Sequence, residues 1–253
     1  MKKALLFSGG YDSTLLLNRL MKEEDEVAII SIESSLLGSN KNKREKEARI
    51  RIINYLSSKY YNCKLDKLYL NIELSKIGRT GNGLAQPLLW LPAMQLLVND
   101  NYELNFSYIC GDQATAHLDD FKNILKISYK FWHGNDQQPV EPKFPLLYYD
   151  KAMVINELYH EDKFLFENAT SCENYDSEAF CGKCVPCSHL KNALIQLCCN
   201  DNKYEVSDDD KAYYKQFLLD KFNVSFSYTN HNDKYDCLCN TVDNNNNRNK
   251  KAE

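Results

Sequence analysis

Short apolar runs alternate with amphipathic segments through residue 160. The first run, residues 4–7, predicts a buried strand, and residues 27–32 and 65–72 predict a second and a third strand. The first run ends in a glycine turn and an apolar helix start. Residues 43–61 predict a further helix, because apolar side chains recur at helical spacing while the charges lie on the other face.

The alternation continues through the middle of the chain. Residues 87–99 predict an apolar helix interrupted by Pro92, and Asp150 has the side chain of a helix N-cap. The remaining predicted elements are strand 106–110, helix 121–131, strand 146–149 and helix 150–159. This order favours a doubly wound, mainly parallel α/β sheet that is covered on both faces and binds ligands at the carboxyl ends of its strands.

The pattern weakens beyond residue 200. Residues 208–222 predict an amphipathic helix with an acidic first turn, and residues 224–228 predict a short strand. From residue 230 the chain is polar, and we expect it to be disordered. The sequence therefore predicts an α/β domain at 1–165, a helical C-terminal segment at 166–229 and a tail at 230–253.

The turn after the first strand carries the most specific chemistry. Gly9 and Gly10 let the backbone press close to a ligand, and hydroxyls and a helix start follow at once. Helix N-termini favour anions, so we expect a cradle for nucleotide phosphates. Its groups are Ser8, Gly9, Gly10, Asp12, Ser13 and Thr14. No lysine follows the glycines, so this is not a Walker loop; a plain strand-to-helix turn is the alternative, but it needs neither three hydroxyls nor an acid.

A cysteine cluster follows in the C-terminal segment. Cys181, Cys184 and Cys187 form two overlapping Cys-x-x-Cys units, and Cys172 lies nine residues upstream. Four thiolates at this spacing predict a closed, structural zinc site that staples the fold. An iron–sulfur cluster and ordinary buried cysteines are the alternatives. Cys63 and Cys110 are expected in the core, and no role is assigned to Cys198, Cys199, Cys237 and Cys239.

Composition narrows the classes of partner. The chain has 253 residues and a net charge of −4, which gives no strong basic field for nucleic acid. No run of 18 apolar residues predicts a membrane span, and the first apolar run is too short for a signal-peptide core. We expect a cytoplasmic protein, in which ten cysteines indicate metal binding rather than disulfides.

Three independent motifs resemble one family. Residues 8–13 look like the PP-loop (Ser-Gly-Gly-x-Asp-Ser) of ATP pyrophosphatases, whose fold is Rossmann-like. The cysteine spacing Cys-x8-Cys-Gly-x-Cys-x-x-Cys and the segment 145–152 (Pro-Leu-x-x-x-Asp-Lys-Ala) occur in the same order in 7-cyano-7-deazaguanine synthases, the QueC-like family. The resemblance covers residues 1 to about 195.

The resemblance implies a reaction. A carboxylate on a deazaguanine base is adenylated with Mg²⁺ and ATP, ammonia displaces AMP to give an amide, and a second adenylation leads to the nitrile. It further implies that the PP-loop holds the phosphates and that Lys151 faces the α-phosphate, with Asp12 in the same catalytic set. A first-turn helix lysine would otherwise be an ordinary exposed residue. Zinc on the four cysteines and a homodimer are implied as well.

The chain departs from the family around the substrate. The family's Pro-Gly-Arg-Asn corresponds here to residues 92–95, so that methionine, Met94, replaces the arginine. The family's Gly-Gln/His element after the second strand is not conserved here; Gly-Ser-Asn stands at residues 38–40. The residues in place of the family's base-recognition stretch are Asp112, Gln113, His117, Asp119 and Asp120; they are candidates for base or metal contacts, and the alternative is that they are solvated loop residues.

These departures leave several functions open. The first is an adenylating ligase that makes the amide or nitrile of a deazaguanine. A second joins the activated base to a protein amine, as the resemblance to QueC-like proteins of antiviral operons suggests. A third is a subunit that binds ATP and zinc without chemistry. A fourth is sulfur transfer to tRNA with Cys110 as the reactive thiol, which the net charge does not favour.

Overall fold

The chain forms two compact units, Met1–Ala179 and Phe180–Glu253, which are described separately. The computed structural model describes residues 2–34, 39–72, 86–174, 180–199, 203–231 and 234–241. The boundary expected after residue 165 falls inside the first unit, because the helix there and the segment after it belong to that unit.

A four-stranded parallel sheet organises the first unit. Its strands are β1 (Lys3–Leu6), β2 (Glu26–Ser34), β3 (Lys64–Ile72) and β4 (Glu103–Asn105). Their spatial order is β3-β2-β1-β4, with every pairing parallel. The chain moves outward from β1 to β3 and then crosses to the other side of β1. In sheets of this kind, ligands bind at the carboxyl ends of the strands on either side of such a reversal, which here are β1 and β4.

Helices cover both faces of the sheet, as the sequence predicted. They are α1 (Tyr11–Glu23), α2 (Ser39–Lys59), α3 (Gln86–Asn99), α4 (Leu118–His133), α5 (Lys151–Glu161) and α6 (Lys163–Asn168). Ala4, Leu6 and Ile30 pack with Met94 of α3 and Leu125 of α4 in one cluster. The alternate residues of β1 and β2 face the other way and are also buried, which explains why these two strands read as continuous apolar runs.

Three predicted elements differ in the structure. Helix α3 runs through residue 92 without a break. Strand β4 ends at Asn105, so the predicted strand 106–110 is wrong; residues 106–109 are irregular. The predicted strand 146–149 is also wrong, because residues 145–148 form a turn. Only Lys143 reaches the sheet there, as an isolated parallel bridge to Asn105.

The second unit contains two helices and a hairpin. They are α7 (Val185–Cys199), α8 (Asp208–Phe222), and the antiparallel strands β5 (Val224–His231) and β6 (Lys234–Thr241). Ser207 caps α8 by accepting from the Asp210 amide. The hairpin includes residues assigned to the polar tail, and residues 242–253 lie outside the described part. No described helix has the length and apolar character needed to cross a membrane.

Asp162 ties three helices together. It ends α5 and caps α6, and its carboxylate accepts hydrogen bonds of 2.7 Å each from Tyr55 and Lys59 of α2. Burial acts to raise the pKa of this carboxyl, but the bonds from Lys59 and Tyr55 outweigh it, so the pKa lies below its usual value.

The charge of Asp162 should stabilise the protein only above acid pH. Its folded-state pKa is lowered, so the stabilisation is complete above the unfolded value of about 3.9 and is lost as pH falls through the folded value. Asp162→Asn keeps the cap but removes the charge. We expect it to cost up to about 1 kcal/mol at pH 7. Urea unfolding at pH 7 and pH 3 tests this; an equal loss at both would contradict it.

Candidate functional site

The turn after β1 is pressed against helix α2. Gly9 has φ +83°, a conformation that L side chains rarely adopt. A Cβ on Gly9 would lie 3.2 Å from Cγ of Arg49 and 3.3 Å from the backbone nitrogen of Arg49. Both the positive φ and the lack of room for a Cβ beside Arg49 therefore require glycine at this position.

Hydrogen bonds between hydroxyls and backbone groups connect the turn to the start of α1. The Oγ atoms of Ser8 and Ser13 are 3.2 Å apart, and the Gly10 amide donates to Ser8 Oγ. Ser13 Oγ donates to the carbonyl of Gly10, which is the N-cap of α1 and has no side chain to cap the first turn. A helix N-terminus of this kind favours an anion. Thr14, placed in the same cradle by the sequence, is fully buried, and within the described residues its hydroxyl has no partner.

Lys151 lies directly on this loop. Its ammonium contacts both carboxylate oxygens of Asp12, at 2.8 and 2.7 Å. Asp150 caps α5 by accepting from the Met153 amide, as predicted, which makes Lys151 the first helical residue. A cation is unfavourable at that end of a helix, and the nearby carboxylate of Asp12 compensates it. The structure thus brings together two groups 139 positions apart in the chain.

Helix α5 is braced against α1 by a second set of polar contacts. Arg19 donates to Glu157, and its Nη2 donates at 2.7 Å to the hydroxyl of Tyr149. Asn18 donates to Glu161 one turn further along α5. These contacts fix the helix that carries Lys151 against the helix that carries Asp12.

The segment 169–174 holds the glycine turn from another side. The Thr170 amide donates to the carbonyl of Gly9 at 2.9 Å. Two residues later, the carbonyl of Cys172 accepts from Nη2 of Arg44 at 3.0 Å, and the carbonyl of Asn174 accepts from the same nitrogen at 2.7 Å. The backbone of the first predicted metal ligand is therefore fixed by α2.

Three of the four predicted cysteine ligands belong to the second unit and lie together there. The sulfur atoms of Cys181, Cys184 and Cys187 are all within 4.8 Å of one another. Sulfurs bound tetrahedrally to zinc are separated by about 3.8 Å, so these three fit one ion after a small contraction. The amides of residues 183 and 184 donate to the Cys181 sulfur at 3.4 and 3.3 Å, as suits a thiolate. A four-cysteine set also fits an iron–sulfur cluster.

A buried row of charges on α2 was missed by the sequence analysis. Lys41, Glu45 and Arg49 follow one another at i, i+4 spacing, and Lys41 and Arg49 are almost fully buried. Burial raises the pKa of Glu45 even though Lys41 and Arg49 counteract it. The signal was present, since the row shares its side of the helix with Ala48 and Ile52.

The residues assigned to base or metal contacts follow β4. The carboxylate of Asp112 accepts from the Ile109 amide at 2.9 Å and so shapes the turn that follows β4. His117 and Asp119 are exposed, and His117 contacts Asp120 at 3.2 Å. The side chain of Gln113 and residue Gly38 lie outside the described part of the chain. Burial, together with the Asp112 carboxylate, raises the pKa of Tyr108 to about 12, so this phenol stays protonated near neutral pH.

Met94 stands where the resembling family has arginine, and it is fully buried between α3 and the sheet. A guanidinium at this position would lie in an apolar core without water, which is strongly unfavourable. The position therefore serves packing in this chain.

Comparison with known proteins identifies distant structural similarity. No family model matches the chain, and no curated protein matches it. The NMN synthetase from Francisella tularensis is similar at a TM-score of 0.42 and 12% identity, over 86% of this chain and 85% of that one. The U34-tRNA thiolase NcsA from Methanococcus maripaludis, with its 4Fe–4S cluster, is similar at 0.43 and 13%, over 86% and 72%. Likeness at this level defines neither a family nor a substrate.

Gly9→Ala should destabilise the protein more than Gly134→Ala. Both glycines have positive φ, +83° and +87°, so each substitution carries a backbone strain of about 1–3 kcal/mol. Only Gly9 adds contact with α2, because nothing lies within 4 Å of a Cβ on Gly134. Equilibrium unfolding in urea gives the two free energies; equal losses would show that the close packing at Gly9 is unimportant.

Cys184→Ser should remove the bound metal. We expect about one zinc per chain in the wild type, because four thiolates form a closed tetrahedral site. Elemental analysis of purified protein measures this, with Cys63→Ser as the control outside the cluster. Iron with visible absorbance would identify a cluster instead of zinc, and full metal retention in the variant would contradict the ligand set.

Proposed function

We propose that this protein is an ATP-dependent adenylating enzyme that activates a 7-carboxy-7-deazaguanine-like carboxylate for C–N bond formation. The observation that carries the proposal is the Lys151–Asp12 ion pair on the glycine turn. It places a cation beside a helix N-terminus that favours anions.

The pair is well placed to act on phosphate. The side chains of Lys151 and Asp12 are 17% and 23% exposed, so they are shielded from water but still reachable. A partly desolvated ammonium stabilises developing negative charge better than one in water. Asp12 orients this ammonium, and Ser8, Ser13 and the amides of the turn bind the two outer phosphates.

The proposed reaction has two steps, and each has a good leaving group: pyrophosphate in the first and AMP in the second. A carboxylate oxygen of the substrate attacks the α-phosphorus of ATP, and the bond from that phosphorus to the bridging β-oxygen breaks, releasing pyrophosphate. An amine attacks the acyl carbon of the resulting acyl adenylate and loses a proton, and AMP departs with the C–O electron pair. Lys151 stabilises the charge that builds on the α-phosphate during the first step.

Two metal ions complete the proposal. Mg²⁺ would enter with ATP and neutralise phosphate charge, and Asp12 is the loop carboxylate suited to ligate it. Zinc on the four cysteines would be structural, since four thiolates leave no open coordination position.

Buried Met94 favours a product other than the nitrile. The family's arginine offers a planar fork of donors at this position, and this chain has none there. We therefore propose that activation stops at the amide, or that the activated base is joined to an amine of a protein. A nitrile product would exclude this narrower form of the proposal.

Lys151→Met should abolish most pyrophosphate release. We expect the rate with Mg-ATP, ammonium and 7-carboxy-7-deazaguanine to fall by about 100-fold or more, because the developing charge loses its cation. Pyrophosphate is measured by a coupled assay, and the organic product is identified by mass spectrometry.

Lys163→Met is the matched control, because Lys163 is also the first residue of a helix capped by aspartate. It should leave the rate unchanged. A wild-type protein that binds ATP but releases no pyrophosphate with any carboxylate would contradict the proposal and indicate a subunit without chemistry. Unchanged activity in Lys151→Met would remove Lys151 from the mechanism.

A further inference from the structure

A cavity of about 320 Å³ lies at the carboxyl ends of β2 and β3, beside helix α2. Glu33 and Asn71 are register partners on the two strands, and Tyr69 precedes Asn71 by two residues, which puts all three on the same face. The helix contributes Lys46, Arg49 and Ile50, and Leu70 completes the lining. The volume is at the lower end of the range of about 300–1,000 Å³ found for small-molecule sites.

The polar groups of this cavity are incompletely satisfied. Arg49 is 2% exposed, and its Nε has no hydrogen-bond partner among the described residues. Its Nη2 is 3.3 Å from Oε1 of Glu33, and the Lys46 ammonium is 3.5 Å from the same oxygen. A buried donor without a partner is costly, and a ligand that accepts from it would remove that cost.

The walls suit a flat ring. Tyr69 is 60% exposed and Ile50 is 47% exposed, so an aromatic face and a branched apolar side chain both remain accessible. Aromatic side chains stack with planar heterocycles in offset arrangements. The amide of Asn71 provides both a donor and an acceptor at the end of the strand.

The cavity also adjoins the phosphate-binding turn. Arg49 lines the cavity and packs directly against Gly9, where an added Cβ would lie 3.2 Å from its Cγ. A ligand in the cavity would therefore lie next to the loop that holds ATP. An adenylating enzyme needs its second substrate in such a position, because the attacking carboxylate must reach the α-phosphate.

We propose that this cavity binds the base of the substrate, as a guanine-like heterocycle. This inference rests on the proposed function. An ionised Glu33 is a pure acceptor, so it matches an edge with two adjacent N–H donors, as in guanine. Adenine presents a single amino donor beside a ring-nitrogen acceptor, and that acceptor would face the carboxylate unfavourably. Tyr69 stacks on the ring, and Lys46 and Arg49 favour a ligand carrying negative charge.

Glu33→Gln tests the recognition. Calorimetry measures binding of 7-carboxy-7-deazaguanine, guanine and adenine to the full chain without ATP. The variant should weaken binding of the two guanine-type bases by about tenfold or more, because one acceptor becomes a donor. Glu26→Gln is the matched control: like Glu33, Glu26 pairs with two cationic side chains, in this case two lysines at 2.9 and 2.7 Å, but at the opposite end of β2. It should bind like the wild type.

Tyr69→Ala gives a second measurement if Glu33→Gln fails to fold. It should also weaken base binding, while Tyr61→Ala should not, because Tyr61 is an exposed tyrosine that precedes β3 and lies outside the cavity. Unchanged base binding in Tyr69→Ala and in a folded Glu33→Gln overturns the inference. Loss of ATP binding in Glu33→Gln, with base binding intact, also overturns it by making this an adenine site. Both of these outcomes concern ligand binding by the variants. Pyrophosphate release by the wild-type protein does not depend on them, so it tests the proposed function separately.

Discussion

The close packing of the Gly9 turn against helix α2 is the constraint on which the rest of the site depends. The turn is fixed from two sides: the backbone of Arg49 lies under Gly9, and the Thr170 amide bonds to the Gly9 carbonyl. A side chain on Gly9 would push α2 away and require a strained backbone. The direction of α1, and with it the position of Asp12, follows from this contact.

Two other features are linked to the same turn. Asp12 receives Lys151, and the bracing between α1 and α5 prevents the two helices from separating. The segment that touches Gly9 continues to Cys172, whose carbonyl is held by Arg44 of α2. Helix α2 therefore positions both the glycine turn and the backbone of Cys172, one of the predicted cysteine ligands.

The interior of the first unit shows how the chain divides its polar and apolar positions. On one face of the sheet, Met94 packs in the apolar core. On the other face, Glu33 near the end of β2 pairs with the charged side chain of Arg49 from α2. Buried charges persist when they are paired, and here Arg49 is only partly paired. If the cavity beside Arg49 binds the substrate base as we propose, it supplies a recognition that the apolar Met94 cannot.

The sequence by itself determined the features that depend on neighbours along the chain. These are the strand, glycine turn and helix at the start, the Asp150 cap and the cysteine spacing, because turn geometry, capping and ligand spacing are local. It failed for strand 146–149, since strand formation needs a partner and the chain turns there instead. Only the tertiary structure decided that Lys151 reaches Asp12 and that Glu33, Arg49 and Tyr69 line one cavity. Such groupings depend on how the sheet and helices pack, which no short stretch of sequence contains.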